Sequence, residues 1–258
     1  MNRFRLLPLP ALQDNYIWLL ADECSNALVV DPGEAPPVLA ALEHEQLRLR
    51  AVLLTHHHPD HVGGVEQLCR DAQIEVFAPH DARIAHATQR IGEGDVVRIP
   101  AMDCSFGVIA VPGHTLSHVA YHGHDLLFSG DTLFSVGCGR LFEGTPRQML
   151  DSLDRLAALP AGTQVCCGHE YTEANCAFAL HLDPDNPALA ARAVEARALR
   201  AASRPTVPAL LADEIACNPF LRIDAPQIRR ALALRVPHDA DRYTCFAALR
   251  SMKDQFRA

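Results

Sequence analysis

The chain has 258 residues and a formal net charge of -8, and 49% of its residues are hydrophobic against 21% charged. Such a length can bury a sizeable core, and the composition is that of a folded globular protein. The negative charge argues against a nucleic-acid-binding surface, and no apolar run approaches the ~18 residues that span a bilayer. We therefore expect a folded protein that binds neither nucleic acid nor membrane.

The N-terminal segment and the cysteines indicate where the protein acts. Pro8 and Pro10 interrupt the short apolar stretch near the start, which argues against a cleaved signal peptide. Nine cysteines at scattered spacings fit reduced thiols better than a disulfide framework. These two observations predict a cytoplasmic protein. We separately expect a monomer, with a dimer as the alternative.

Short β-type runs recur through the first two thirds of the chain. They are NYIWLL, NALVVDPG, AVLLTHHH, IEVFAPH, FGVIAVPGH, HVAYHG, DLLFSGD and TQVCCGHE. The helix-type segments APPVLAALEHEQ and GGVEQLCRDA lie between some of them. Strands mixed with helices predict an α/β layered domain.

The pattern changes near residue 173, where alanine- and leucine-rich segments with interspersed charges begin. These segments are PALAARAVEARALRAAS, PALLADEIA, APQIRRALAL and DRYTCFAALRSMKDQF. Prolines punctuate them, as is typical of successive helices. We predict two domains, an α/β domain at 1–172 and an α-helical domain at 173–258.

One short segment, THHHPDHVGG, contains four histidines and one aspartate. Side chains two apart in an extended segment point the same way, so His56 and His58 can face one metal ion while His57 faces elsewhere. Asp60 and His61 follow at once, beside a glycine pair that permits close backbone approach. The segment therefore offers two pairs of metal ligands.

Three other strand-like runs end in a residue that can bind metal. His114 follows GVIAVPG, Asp131 follows LLFSG, and His169 follows QVCCG. Strand ends that deliver such groups are what a site at the carboxyl edge of a sheet requires, whereas an incidental histidine-rich run would have no partners elsewhere. Imidazole and carboxylate ligands suit zinc, iron or manganese.

The motifs THHHPDH, PGHT, SGDT and GHEYT, in this order and spacing, resemble those of the metallo-β-lactamase fold superfamily. NYIWLL, GCGRLFEGT, CCGHEYT and RSMKDQF are further similar to the glyoxalase II (hydroxyacylglutathione hydrolase) family over essentially the whole chain. The resemblance implies an αββα sandwich with a C-terminal α-helical domain. It also implies hydrolysis of S-D-lactoylglutathione and related 2-hydroxyacyl thioesters to glutathione and D-lactate or the corresponding acid, the second step of methylglyoxal detoxification.

The same resemblance implies a centre of two divalent metal ions, expected to be zinc, with iron or manganese as alternatives. Its ligands would be His56, His58 and His114 for one ion, Asp60, His61 and His169 for the other, and Asp131 as the bridge. A hydroxide between the ions would attack the thioester, so Asp60 and Asp131 are the predicted catalytic residues. A thiolate leaving group with a pKa near ~8.5 needs little help from a general acid.

The resemblance also assigns substrate-binding residues for the glutathione moiety. They are Arg140, Phe142, Tyr171, Arg250 and Lys253. Glutathione carries two carboxylates and an ammonium group, and a guanidinium can bind a carboxylate at two points. On chemistry alone each basic residue would be a solvated surface group. Phe142 stands where some family members have tyrosine, so one substrate hydrogen bond is expected to be absent.

Other functions fit the sequence less well. Persulfide dioxygenases resemble this fold but use one iron, against which Asp60, His61 and His169 argue. Lactonases and β-lactamases would not need the helical tail, and a nucleic-acid-processing module would need a basic surface. Cys166 and Cys167 are expected to pack as small hydrophobic side chains, because vicinal cysteines are poorly arranged to form a disulfide.

Overall fold

The structure is a computed structural model, and it describes residues 4–70 and 74–257. The chain forms two compact units. The first comprises Met1–Ala110 and Ser117–Gly130, and the second comprises Val111–Leu116 and Asp131–Ala258.

The described part of the first unit consists of strands with short helices between them. In chain order its elements are β1 (Arg5–Ala11), β2 (Asn15–Ala21), β3 (Asn26–Val30), α1 (Pro36–His44), β4 (Arg48–Leu53), α2 (Pro59–Val62), α3 (Val65–Cys69), β5 (Glu75–Pro79), β6 (Gln89–Ile91), β7 (Val96–Ile99), β8 (Cys104–Ala110), β9 (Val119–Gly123) and β10 (Leu126–Gly130). Each predicted β-type run up to DLLFSGD overlaps one of these strands. The predicted helix GGVEQLCRDA contains α3, and its last two residues lie outside the described part of the chain.

One sheet of the first unit has the strand order β1-β2-β3-β4-β5-β6. The first three strands are antiparallel neighbours, and β3 to β6 are parallel neighbours. Parallel neighbours need a crossover connection, commonly a helix, and α1 fills this role between β3 and β4. The loops after β3 and β4 therefore leave the same edge of the sheet, and they carry Asp31 and Thr55–His58.

The strands β7 to β10 form an antiparallel arrangement in the order β10-β9-β8-β7. The hydroxyl group of Tyr121 in β9 donates a hydrogen bond to the carbonyl oxygen of Leu54 at 2.8 Å. The amide nitrogen of Val119 donates to the carbonyl oxygen of Thr55 at 2.9 Å. These bonds fix β9 against the loop that follows β4, where the histidine motif begins.

The core of the first unit lies on both faces of the β1–β6 sheet. Ile17 and Leu19 belong to an apolar cluster that includes Val38 of α1 and Val65 of α3. Since successive side chains of a strand alternate between faces, Trp18 and Leu20 point to the opposite face, where they are also buried. A strand buried on both faces reads as a continuous apolar run, which is why NYIWLL has no alternation.

The second unit is mainly helical in its described part. Its elements are β11 (Leu133–Phe134), β12 (Gly137–Cys138), α4 (Pro146–Ala157), β13 (Gln164–Cys167), α5 (Thr172–Leu182), α6 (Pro187–Ala201), β14 (Ala209–Leu210), α7 (Leu211–Cys217), α8 (Pro226–Leu232) and α9 (Arg242–Gln255). The strands β11 and β12 pair as an antiparallel hairpin, and β13 pairs with β14. The segments predicted as helices in the tail overlap α6, α7, α8 and α9.

The helix α4 was not predicted, although its start carries a local signal. The side chain of Thr145 accepts a hydrogen bond from the amide nitrogen of Gln148, whose side chain accepts one from the Thr145 amide. This reciprocal capping box, with proline at the first helical position, is a common helix start.

The fold class predicted from the sequence, α/β with a helical C-terminal region, is confirmed. The division into a catalytic domain at 1–172 and a substrate-binding domain at 173–258 is functional and stays a prediction. Among the described residues, no helix combines the length and apolarity needed to cross a bilayer.

Candidate metal centre

The loop after β4 and the short helix α2 bring four predicted metal ligands of the first unit together. Nε2 of His56 lies 3.0 Å from Nδ1 of His58. The ring centroids of His56 and His61 are 4.2 Å apart, and Nε2 of His61 lies 3.5 Å from Oδ2 of Asp60. His56 and His61 are buried. These four side chains of the first unit thus form one compact cluster of imidazole and carboxylate groups.

A residue outside the predicted set, Asp31, orients two of these histidines. Its Oδ2 atom accepts a hydrogen bond from the hydroxyl group of Thr55 at 2.7 Å and lies 3.0 Å from Nδ1 of His61. A carboxylate can only accept, so His61 holds its proton on Nδ1. The Thr55 oxygen, which gives its proton to Asp31, lies 3.0 Å from Nδ1 of His56 and accepts there. In its neutral form, each of these histidines therefore carries its proton on Nδ1 and presents the lone pair of Nε2.

This proton arrangement allows a test of whether the cluster fits a metal ion. Nε2 of His56 and Nδ1 of His58 lie 3.0 Å apart, close enough for one cation to bind both nitrogens. Ligand nitrogens bound tetrahedrally to zinc at about 2.0–2.1 Å lie about 3.3 Å apart. A carboxylate behind a ligating histidine, as Asp31 stands behind His61, is the usual outer support of such ligands. The cluster fits a divalent ion.

His57 lies beside this cluster, and Asp60 is a partly exposed member of it. Nδ1 of His57 faces Oδ2 of Asp81 at 3.5 Å, and the His57 ring meets the His58 ring edge-to-face with centroids 4.8 Å apart. The Asp60 side chain is 39% exposed, and Nδ2 of Asn15 donates to its Oδ2 atom at 3.0 Å. Asn15 was not predicted, because it is an isolated residue at the start of a strand.

The glycine pair after His61 lies against the loop that follows β3. A Cβ atom on Gly63 would lie 2.6 Å from the carbonyl oxygen of Gly33, and one on Gly64 would lie 2.5 Å from the carbonyl carbon of Glu34. A side chain at either position would push the loop that carries Asp31 away from the loop that carries the histidines. The predicted close backbone approach is present.

The second unit brings its three predicted ligands together in the same way. Nε2 of His114 lies 3.4 Å and Nε2 of His169 lies 3.3 Å from the same Oδ2 atom of Asp131. Nδ1 of His114 lies 2.9 Å from the carbonyl oxygen of Arg140, which can only accept, so the neutral imidazole presents the lone pair of Nε2. All three ligand side chains are buried. Each of these two histidine–aspartate spacings matches a pair of ligands that share one ion.

Two predicted substrate-binding residues lie beside these ligands. The ring of Tyr171 stacks parallel on that of His169 at 4.8 Å. The ring of Phe142 meets His114 edge-to-face at 5.2 Å and is 64% exposed. These aromatic rings flank the second-unit ligands and present apolar surface next to them.

The three predicted cationic residues differ in how they are held. The Arg140 side chain is 64% exposed, and its Nε atom lies 3.7 Å from Oδ1 of Asp254. Arg250 is only 5% exposed, donates to the carbonyl oxygen of Cys138 at 2.7 Å and pairs with Asp254 at 3.0 Å. Burial, with the adjacent Arg250 and Arg140, lowers the pKa of Lys253 to about 8.

The cysteines near the site are packed side chains. All nine cysteines of the chain are free thiols, and Cys24 is the exposed one. Burial raises the pKa of Cys167 to about 12 and that of Cys138 to about 11. A protonated thiol is a poor nucleophile, so the chemistry of the site belongs to the histidine and aspartate clusters.

Comparisons with known proteins agree with this geometry. Residues 12–100 and 91–169 match the family model described as metallo-beta-lactamase superfamily. The solved structure of ETHE1 from Myxococcus xanthus is 26% identical, with a TM-score of 0.63 over 97% of each chain. BLEG-1 B3 metallo-beta-lactamase is 25% identical, with a TM-score of 0.63 over 85% of this chain and 99% of that one. The fold and the histidine–aspartate clusters define a divalent-metal-binding hydrolase of the metallo-β-lactamase superfamily, as predicted.

The C-terminal part narrows the assignment. Residues 170–256 match the family model described as hydroxyacylglutathione hydrolase C-terminus. The hydroxyacylglutathione hydrolase of Xanthomonas euvesicatoria pv. vesicatoria (strain 85-10) is 54% identical and covers 98% of this chain and 100% of its own length. That of Xylella fastidiosa (strain M23) is also 54% identical, over 98% of this chain and 97% of its own. This chain belongs to the hydroxyacylglutathione hydrolase family, also called glyoxalase II.

Proposed function

We propose that this protein hydrolyses S-D-lactoylglutathione and related S-2-hydroxyacylglutathiones to glutathione and the 2-hydroxy acid. It would do so as a cytoplasmic monomer, in the second step of methylglyoxal detoxification. The observation that carries the proposal is 54% identity to a named hydroxyacylglutathione hydrolase over 98% of the chain. The histidine nitrogens that gather around carboxylates in each unit support it.

The proposed centre holds two divalent ions, expected to be zinc, with iron or manganese as alternatives. The proposed ligands are His56, His58 and His114 for one ion, Asp60, His61 and His169 for the other, and Asp131 between them. When bound, such ions lower the pKa of a bound water toward ~7 and polarise a carbonyl oxygen. The chain's own part is to keep protons on the Nδ1 atoms of His56, His61 and His114 and so leave their Nε2 lone pairs available.

Asp60 and Asp131 are the proposed catalytic residues. Their carboxylates would balance positive charge at the centre, and Asp60, which is not the proposed bridge, would accept the proton of the attacking water. Asn15 holds Oδ2 of Asp60 at 3.0 Å, which fixes the carboxylate although its side chain is 39% exposed. A leaving thiolate with a pKa near ~8.5 departs without a dedicated acid, so the reaction requires no further proton donor.

We propose that residues 173–258 form the substrate-binding domain and act together with Arg140. Arg140 and Lys253 offer positive charge to the two carboxylates of glutathione, and charge-assisted hydrogen bonds of this kind are the strong ones. Arg250 belongs to the same site. Its burial and its bond to the Cys138 carbonyl at 2.7 Å indicate that it also supports the loop that carries Arg140.

Two aromatic residues complete the proposed substrate site. Tyr171 offers a ring face and a hydroxyl group, whereas Phe142 offers only apolar surface. Because phenylalanine has no hydroxyl group, it cannot donate a hydrogen bond to the peptide of the substrate. The affinity for glutathione then depends more on the cationic residues.

One experiment tests the proposal as a whole. The purified protein is assayed on S-D-lactoylglutathione and on a simple thioester without the tripeptide, and the metal content of the same sample is measured. We expect two divalent ions per chain, a strong preference for the glutathione thioester, and loss of activity when a chelator removes the metal. Full activity in metal-free protein, or no preference for the glutathione thioester, would reject the proposal.

A further inference from the structure

The β11–β12 hairpin and its flanks carry or contact each proposed metal ligand of the second unit. Asp131 lies two residues before the hairpin. Arg140, two residues after it, accepts the Nδ1–H group of His114 on its carbonyl oxygen at 2.9 Å. Phe134 in β11 packs edge-to-face on His169, with ring centroids 5.9 Å apart. A shift of this hairpin would therefore move all three ligands.

The segment after the hairpin fits tightly against these ligands. A Cβ atom on Gly139 would lie 1.9 Å from the carbonyl oxygen of Asp131 and 3.2 Å from Nδ1 of His114. No room exists there for a single methyl group. A displacement of the hairpin would be transmitted to the ligands, since close-packed interiors pass on small shifts.

The turn of the hairpin consists of Ser135 and Val136. Side chains of α6 and α7 hold it by hydrogen bonds. Glu214 in α7 accepts hydrogen bonds from the Ser135 hydroxyl group and the Val136 amide nitrogen, each at 2.7 Å. Nη2 of Arg192 in α6 donates to the same Ser135 hydroxyl oxygen at 3.0 Å. The hydroxyl group of Ser135 thus lies between a carboxylate that accepts its proton and a guanidinium that donates to its oxygen.

Two asparagines bind the backbone of the same turn. Nδ2 of Asn175 in α5 donates to the carbonyl oxygen of Ser135 at 3.0 Å. Nδ2 of Asn218 donates to the carbonyl oxygens of Phe134 at 3.2 Å and Gly137 at 3.0 Å. Three helices and the residue after α7 therefore bind a turn of only a few residues.

The side chains that hydrogen-bond the turn are buried, and the backbone of the turn has an unfavourable conformation. Glu214 and Asn218 are fully buried, and Ser135 is nearly so. A buried carboxylate is costly unless its oxygens are hydrogen-bonded, and Glu214 places its hydrogen bonds on the turn. Val136 has φ +57, a left-handed conformation that a β-branched residue adopts only when its surroundings hold it there.

We propose that Glu214 is a positioning residue of the metal centre, which sets Asp131, His114 and His169 in place through the β11–β12 hairpin. The helical region then determines metal retention as well as substrate binding. This inference rests on the ligands proposed above for the second unit. It adds a role for the helices that the proposed function does not require.

The test compares three single variants with the parent protein. Glu214→Gln replaces one acceptor oxygen by a donor that faces other donors, and Ser135→Ala removes only the shared hydroxyl group. Asp213→Asn is the matched control, since Asp213 is the exposed neighbour of Glu214 on the same helix. Each full-length protein is loaded with cobalt. Its visible absorption spectrum is recorded, and cobalt loss during dialysis against a chelator is followed.

We expect changed cobalt bands and about tenfold faster cobalt loss in Glu214→Gln and Ser135→Ala, the scale known for changes around metal ligands. Asp213→Asn should match the parent. The inference is overturned if both test variants keep the parental spectrum and retention. Should Glu214→Gln fail to fold, the milder Ser135→Ala decides. A parent protein that takes up no cobalt would instead overturn the proposed metal centre itself.

Discussion

Nδ1 of His61 lies 3.0 Å from Oδ2 of Asp31, and this contact places the proton of the neutral imidazole on Nδ1, so that the Nε2 lone pair can bind a metal ion. In Asp31→Asn the acceptor is neutral, so it holds the Nδ1 proton less firmly and makes the imidazole a weaker ligand. We expect metal affinity to fall about 10- to 100-fold, measured by competition with a chelator of known affinity. An Asp31→Asn protein with parental affinity would show that His61 is oriented by other contacts.

His57 should be dispensable for metal binding, because its Nδ1 atom faces Asp81, whereas the facing nitrogens of the loop belong to His56 and His58. We expect His57→Ala to retain both ions, while His56→Ala and His58→Ala lose metal. The measurement is metal content by elemental analysis after gel filtration. Equal loss in all three variants would mean that the loop is arranged differently in the loaded protein.

Asp131 should be the ligand whose loss is least tolerated, because the Nε2 atoms of His114 and His169 both converge on one of its oxygens. Asp131→Ala is expected to lose metal and hydrolysis together. Both are measured on the same preparation, with circular dichroism as the check on folding. Two retained ions and near-parental turnover would contradict the bridging assignment.

The cationic residues should act on substrate binding rather than on chemistry. If Arg140 and Lys253 serve glutathione equally in the ground and transition states, the double variant Arg140→Ala with Lys253→Ala raises KM far more than it lowers kcat. A loss of ~1.5 to 3 kcal/mol per charge-assisted bond corresponds to about tenfold to a hundredfold per residue. Hydrolysis of a thioester without the tripeptide is the control and should hardly change. A parental KM would remove these residues from the substrate site.

Lys253 predicts a pH dependence of substrate affinity. Its pKa is lowered to about 8, so it is charged below that pH and neutral above it. An anionic substrate should therefore bind more weakly as pH rises from 7 to 9, with KM rising by up to about tenfold. Lys253→Arg, which stays protonated throughout, separates this effect from titration of the substrate itself. The same rise of KM in both proteins would assign it to the substrate.

The parts of the site that could be predicted are those whose residues lie close together in the sequence. His56, His58, Asp60 and His61 stand within six residues, so their clustering needs only local geometry. Asp31 depends on β3 and β4 being parallel neighbours, which no single segment reveals. The only sequence signal for Asp31 is its position directly after an apolar run.

The role proposed for Glu214 could not have been predicted from the sequence. Nothing in LLADEIACN distinguishes this buried carboxylate from the exposed Asp213 beside it. The short strands β11 and β12 were missed for a related reason, since two-residue strands carry no periodicity. The helix α4, in contrast, has a capping box that could have been used.

The burial of the cysteines has a consequence for an enzyme that would release glutathione, itself a thiol that forms mixed disulfides. Thiol–disulfide exchange proceeds through a thiolate that can reach the partner sulfur. Cys138 and Cys167 are buried, and their raised pKa values keep them protonated. Oxidised glutathione near the enzyme would therefore meet no charged or accessible cysteine sulfur at Cys138 or Cys167. The exposed Cys24 is where S-glutathionylation would begin, at the β2–β3 turn.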